Sequence, residues 1–238
     1  MRTRRQRTLL ATRAAGLVLA AIAIGSLPAQ ATEIGEVVQR TYLGATAEGE
    51  EPTHEIYFAN SVHAQELVKT GAKGATELEF LDATRLVVGP NGTVKLDEFV
   101  YDPSSATGGG QLSLQIGAFR YQSGELKNKE NMKLVTPTAT MTIRGTHLVI
   151  FVDGDGATEV NVLEGAVDVL ACNTPSTVSA NTGQRVNVTS GCATSIAEVR
   201  PLPRDYVPTM PGSTDLPPGP DGPNGPEKPG GESENEND

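Results

Sequence analysis

The sequence predicts an all-β protein, built as a single antiparallel β-sandwich or roll. The central part of the chain is rich in Val, Thr and Gly, and short apolar–polar alternations recur there between turn residues. No stretch of it carries the 3.6-residue periodicity of an amphipathic helix. Thr32 to Arg200 hold this pattern, enough chain for one good core.

The two ends are different material. Arg2, Arg4, Arg5, Arg7 and Arg13 precede an uncharged apolar run, Ala14 to Leu27, followed by Pro28 and Ala29-Gln30-Ala31. A basic start, a short apolar core and a small-x-small site describe a signal peptide over residues 1–31, cut after Ala31. The apolar run is shorter than the roughly 20 residues a membrane-spanning helix needs. Gln6 and Arg7 follow Arg4-Arg5 where twin-arginine signals carry an apolar residue, so the Sec route to a periplasmic or secreted location is expected. Cleavage would leave 14 basic and 29 acidic residues, a net charge of −15. Such a chain repels phosphate backbones and anionic lipid, so neither nucleic acid nor stable membrane insertion is expected. Residues 201–238 hold ten prolines, six glycines and eight acidic residues. They bury too little surface to offset the entropy of ordering, and read as a disordered acidic tail whose part beyond Pro211 is dispensable for folding.

Within the domain, Glu48 to His63 is the least sheet-like stretch, an acidic loop with one strand or a short helical turn. Thr76 to Phe80 places Leu78 and Phe80 on one strand face, and Arg85 to Val88 follows. Gly89-Pro90-Asn91-Gly92 is a turn, because Asn-Gly accepts positive φ at low cost. Val94, Leu96 and Phe99-Val100-Tyr101 resume the sheet, and Gly108-Gly109-Gly110 reads as a flexible link before Leu112, Leu114 and Ile116. In Thr138 to Ile143, Ala139, Met141 and Ile143 share a face, and His147 to Val152 is apolar at nearly every position. Asp153-Gly154-Asp155-Gly156 turns the chain, Val160 and Val162 alternate with Glu159 and Asn161, and Glu164-Gly165 makes a second tight turn into Val167 and Val169. These last segments read as an antiparallel meander. Cys172 and Cys192 form an even pair in an oxidising compartment, which favours a disulfide over two separate buried thiols. Between them, Thr177 to Ala180 and Arg185 to Val188 can fold back as two short strands.

Chemistry-bearing constellations are scarce. The Asp153–Gly156 run lacks the further oxygen ligands and late glutamate of a calcium loop. His54, His63 and His147 have no metal-ligand spacing, and no Gly-x-Ser-x-Gly elbow occurs. With no tryptophan and only five Phe and five Tyr, the chain offers no aromatic platform for sugar rings. No catalytic residue, cofactor or metal ligand is assigned.

Thr136-Pro137-Thr138-Ala139 and Ile143-Arg144-Gly145-Thr146 resemble the hallmark of the FecR periplasmic domain. Lys69-Thr70-Gly71, Phe80-Leu81-Asp82, Leu86, Gly117 to Phe119, Val160 to Gly165 and Gly183-Gln184-Arg185-Val186 occur in the matching order, over about Ile34 to Val188. The resemblance implies a β module that binds protein or ligand, with Thr136, Pro137, Arg144, Gly145, Thr146, Glu164 and Gly165 as motif residues of strand geometry. Named family members relay an iron–siderophore signal from a receptor to a sigma factor through a cytoplasmic anti-sigma segment and a membrane helix. Here only 13 residues precede the apolar run, so no direct hold on a sigma factor is expected. Arg144 is expected in a structural ion pair or a hydrogen-bonding role around a bend in the strand, and Gly145 where a side chain would clash. The expected function is that of a non-enzymatic, exported envelope protein, a binding or scaffold module with an envelope protein as partner. The alternatives are an accessory sensor working through a separate membrane partner, and a glycan or peptidoglycan binder.

Overall fold

In the computed structural model, the described residues are 32–40, 45–49 and 53–198. The expected signal peptide over residues 1–31 and the expected tail over residues 201–238 lie outside them. The described residues are nearly all strand, as the alternation predicts. In chain order they form β1 (Glu33–Arg40), β2 (Ala45–Glu48), β3 (His54–Ile56), β4 (Ser61–His63), β5 (Leu67–Thr70) and β6 (Thr76–Phe80). Next come β7 (Arg85–Val88), β8 (Thr93–Asp102), β9 (Thr107–Gln122), β10 (Met132–Val135), β11 (Ala139–Ile143) and β12 (His147–Val152). The last are β13 (Thr158–Glu164), β14 (Ala166–Ala171), β15 (Thr177–Asn181), β16 (Gln184–Val188) and β17 (Thr194–Glu198).

The pairings sort these strands into two layers. The first runs β4-β1-β6-β7-β9-β12-β13-β16-β17. The second runs β3-β2-β5-β8-β9-β10-β11-β14-β15. β9 belongs to both: Thr107–Ile116 pairs with β8 in the second layer, and Gly117–Gln122 pairs with β12 in the first. One buried apolar cluster draws on strands of both layers, and Phe80 of the first layer stacks on Phe99 of the second at 5.2 Å between ring centroids.

Several sequence expectations are corrected here. The sheet is mixed, because β10 runs parallel to β9. β9 leaves the second layer at its far end, and the chain returns through a 3-10 turn, Lys129–Asn131, beside Gly108, so β10 starts where β9 started. Gly108-Gly109-Gly110 is no flexible link but part of β9. A side chain at Gly109 would meet the Asn131 carbonyl oxygen at 2.7 Å, so bare residues are needed where that turn packs on the strand. Glu48 to His63 contains β3 and β4 and no helical turn among its described residues. The meander is instead two antiparallel pairs in different layers: the hairpin β12–β13 in the first, and β11 with β14 in the second. β15 and β16 pair with β14 and β13 respectively, not with each other.

From β10 onward the chain therefore takes two strands in one layer and two in the other. It crosses between layers at Arg144–Thr146, Gly165 and Thr182–Gly183, and turns back within a layer at the opposite side. At the crossings Gly145, Gly165 and Gly183 have φ of +73°, +79° and +83°, the left-handed region that costs other residues energy. Gly165 lies directly on the Gly145 peptide, and a Cβ there would collide with the Gly145 carbonyl oxygen. The space around Gly145 itself is open, its nearest neighbour being Lys129 Cγ at 4.0 Å. The clash expected at Gly145 thus falls at Gly165, and Gly145 is required for its backbone angle alone.

The opposite side is closed by other means. In the β10–β11 turn, Thr138 Oγ1 donates to the Gly156 carbonyl at 2.8 Å, while Thr158 Oγ1 donates to Thr136 Oγ1 at 2.8 Å. The Ala139 N–H donates to Thr136 Oγ1, Pro137 covers Gly156, and the Cys172 N–H donates to the Thr138 carbonyl. One step further along, the Cys172–Cys192 disulfide joins the β14–β15 turn of the second layer to the β16–β17 turn of the first. A bond across 20 residues of sequence restricts the unfolded chain by about 3 kcal/mol.

Two measurements follow from this closure. Gly165→Ala and Gly183→Ala both place Ala at a left-handed corner, but nothing lies within 4 Å of a Cβ at Gly183. Denaturant midpoints should show Gly183→Ala costing about 1 kcal/mol and Gly165→Ala at least about 2 kcal/mol more; equal costs would remove the close approach as a constraint. Thiol titration of the unfolded, unreduced chain should find no reactive thiol, whereas two per chain would contradict the bridge.

Candidate recognition face

The structure gathers the seven family-motif residues into two groups, one at each side of the layers. Thr136 and Pro137 lie in the hydroxyl cluster just described. Arg144, Gly145, Thr146, Glu164 and Gly165 lie at the first two crossings, where the Arg144 N–H donates to the Ala166 carbonyl and the Thr146 N–H to Ser123 Oγ at 2.9 Å. The Arg144 side chain is half exposed, 3.4 Å from Asp168 and 3.9 Å from Glu130. These contacts hold corners in place. The Asp153–Gly156 run is a hairpin turn, closed by Gly156 N–H to Asp153 O and by Ala157 N–H to Asp155 Oδ1. Among the described residues no group of three or more His, Cys, Asp or Glu side chains is placed to hold a metal ion.

A different surface stands out electrostatically. In the first layer, Leu78, Leu86, Phe119, Ile150, Val160 and Val186 face the shared core. The alternate residues form a row across the outward face. The registers place Glu77 beside Val87, Val87 beside Arg120, Arg120 beside Val149, Val149 beside Asn161, and Asn161 beside Arg185. Outward residues of a sheet are ordinarily solvated, yet Glu77 is 2% exposed, Asn161 0% and Arg185 6%. Both Glu77 carboxylate oxygens, Arg120 Nε, Asn161 Oδ1 and Arg185 Nε are buried without a hydrogen-bond partner, as is Nε2 of His147 in the next row. A buried polar atom left unpaired costs about 1–3 kcal/mol, more when charged, and folded proteins carry few of them.

Charges on this face are unevenly neutralised. Arg85 lies 3.6 Å from Glu77 and 2.6 Å from Glu79, and Arg185 lies 3.6 Å from Glu159. No carboxylate lies within ion-pair distance of Arg120 among the described residues, and burial lowers its pKa. Burial also lowers the pKa of His147, helped by the nearby Arg120 charge. The Glu77 carboxyl is pushed up to about 7, chiefly by burial, with Arg85 opposing and Glu79 adding. Beside this row, Phe151, Glu159 and Asn187 line a groove of about 430 Å³ together with Asp153, Ala157 and Thr158.

Residues 66–168 match the model of the FecR protein family. Over that segment the chain is similar to a FecR domain. That match contains all seven motif residues and stops inside β14, so the disulfide-bridged strands β15 to β17 extend the layers beyond the matched FecR segment. Two crystal structures of a candidate anti-sigma factor from Parabacteroides distasonis ATCC 8503 are similar at 12% and 11% identity, with TM-scores of 0.46 and 0.44. The alignments cover 56% of this chain and 59% of each of those chains, so this chain spans about three fifths of their length. No curated protein sequence matches significantly.

Glu77, Arg120 and Asn161 were not singled out by their sequence, and Arg185 only as part of Gly183-Gln184-Arg185-Val186. Val160-Asn161-Val162 signals an outward Asn but not its burial, which depends on what surrounds the strand in space. The raised Glu77 pKa has a testable sign. A carboxyl whose folded pKa exceeds its unfolded value of 4.5 favours the fold when protonated, so its contribution is lost as pH rises through about 7. Glu77→Gln, which cannot ionise, is expected to raise stability at pH 8 by about 1–2 kcal/mol and leave it nearly unchanged at pH 5. Parallel pH profiles for the two proteins in urea unfolding would contradict the assignment.

Proposed function

We propose that the chain is an exported, non-enzymatic envelope protein whose β domain binds another envelope protein. The observation that carries this reading is the partly exposed Arg120, whose buried Nε has no partner, set in the row Glu77–Val87–Arg120–Val149–Asn161–Arg185, whose other members are buried. The guanidinium of Arg120 is the natural anchor, since arginines carry much of the binding energy of such surfaces. A second reading is supported by the FecR match: the domain serves as an accessory sensor in envelope signalling, with a separate membrane protein passing the signal onward. No helix among the described residues is long and apolar enough to cross a membrane.

Crosslinking in intact envelopes followed by pull-down of the full chain tests the reading. A discrete protein partner is expected, with capture reduced about tenfold or more by Arg120→Ala. Thr142→Ala, on the second layer, should leave capture unchanged. Sedimentation with protein-free cell wall together with an empty crosslinking profile would favour the glycan reading instead. Export is tested separately: N-terminal sequencing of the native protein should begin at Thr32, and a start at Met1 would contradict it.

A further inference from the structure

We infer that two copies of this chain pair through β15, the free edge of the second layer, so that the protein self-associates as a symmetric dimer. β15, Thr177-Val178-Ser179-Ala180-Asn181, pairs with β14 on one side only. Sheet edges are normally guarded by charge, proline, bulges or extreme shortness. β15 has none of these over its five residues. The other layer ends differ. β3 and β4 have three residues each, His54 and Ile56 of β3 are engaged elsewhere, and β17 ends at Glu198, leading into residues 199–238 with their eight acidic side chains.

The hydrogen bonds of β15 fix which backbone groups are available. The Asn181 N–H donates to Gln184 Oε1 at 2.8 Å, so it does not point at β14. Along an antiparallel strand the direction alternates, which turns Val178 and Ala180 toward β14 and the N–H and C=O of Thr177 and Ser179 outward. The Ser179 hydroxyl bond to Asp168 Oδ1, at 2.5 Å, fits the close side-chain approach of a pair not bonded through its backbone. The strand is also held rigidly at both ends. At one end the Thr182 N–H donates to the Gly165 carbonyl, and at the other the turn carries the Cys172–Cys192 bridge.

A second copy fits this edge because the sequence is self-complementary about Ser179. A two-fold axis there opposes Ser179 to the partner's Ser179, Val178 to the partner's Ala180, and Thr177 to the partner's Asn181. No like charges meet. Two backbone bonds form between the serines, and the Thr177 N–H reaches the carbonyl of the partner's Asn181 at each end. Val178, packed on the core, continues the apolar row onto the partner's Ala180. The nearest charge, Asp168, is matched by Arg144 in each copy. The pairing is isologous, so it closes at two copies and leaves no further β15 edge exposed.

The test is sedimentation velocity of the purified chain from about 1 to about 100 µM, the range in which a small interface assembles. The sedimentation coefficient should rise from monomer to dimer across that range. Ser179→Pro removes an outward N–H and the exposed hydroxyl bond to Asp168 but no backbone bond to β14, so it should stay folded by circular dichroism while remaining monomeric at the highest concentration. Ser179→Cys should give a covalent dimer on mild oxidation, since the Cα atoms of a hydrogen-bonded antiparallel pair lie about 5.5 Å apart, within reach of a disulfide. A monomer throughout, with no crosslink from Ser179→Cys, would overturn the inference. So would a dimer that Ser179→Pro leaves intact.

Discussion

The rest of the fold depends on one close approach, the seating of Gly165 against the Gly145 peptide. The chain repeatedly leaves one layer and enters the other, and each passage needs a corner tight enough to keep consecutive strands over a common core. Two successive corners touching backbone to backbone set the offset between the layers to within the width of a missing methyl group. Everything downstream inherits that offset. It aligns Thr136 and Thr138 of the second layer with Thr158 and Gly156 of the first, and it brings Cys172 and Cys192 to a Cα separation of 5.3 Å. One side of the sandwich is closed by chain crossings, the other by hydroxyl bonds and a disulfide. The second set compensates for the absence of connecting chain there.

This closure accounts for the residue types in the FecR motif. Threonine can turn a short hydroxyl into a buried turn without bringing charge, and Pro137 fills the space over Gly156. Arg144 and Glu164 stand at the surface of the corners, where an ion pair contributes little but a polar residue is tolerated. The motif specifies a geometry of layers. Recognition must then come from surfaces that the motif does not use, and the two outward faces differ sharply in this respect. The outward face of the second layer carries exposed Lys133 and half-buried Thr142 and Asp168, the last paired with Arg144. The first layer's outward face carries buried, partly unpaired Glu77, Arg120, Asn161 and Arg185.

Much of the strand content was legible because alternation is a local property. Ala139, Met141 and Ile143 are buried along β11, and Leu78 and Phe80 along β6, as their spacing requires. Assignment to layers was not legible, because a period of two tells which side of a strand is apolar but not which sheet the strand joins. That is why β11 to β14 read as a meander, although Glu164-Gly165 is a crossing. The triple glycine misled for a related reason: bare residues signal freedom in sequence, whereas in space Gly109 is bare because Asn131 packs against it. The polar row stayed hidden because its members come from β6, β9, β13 and β16, more than a hundred residues from first to last. The disulfide was legible from parity, since two cysteines leave a single pairing.

The central claim, that the Gly145–Gly165 contact sets the layers, is tested most directly by a double-mutant cycle. Stabilities of Gly145→Ala, Gly165→Ala and the double variant would be measured by chemical denaturation. If the contact governs the corner, Gly165→Ala displaces the Gly145 peptide and relieves its left-handed angle, so the second substitution costs less in that background. The account predicts a coupling of at least about 1 kcal/mol; additivity within about 0.5 kcal/mol would show the two corners to be independent and contradict it.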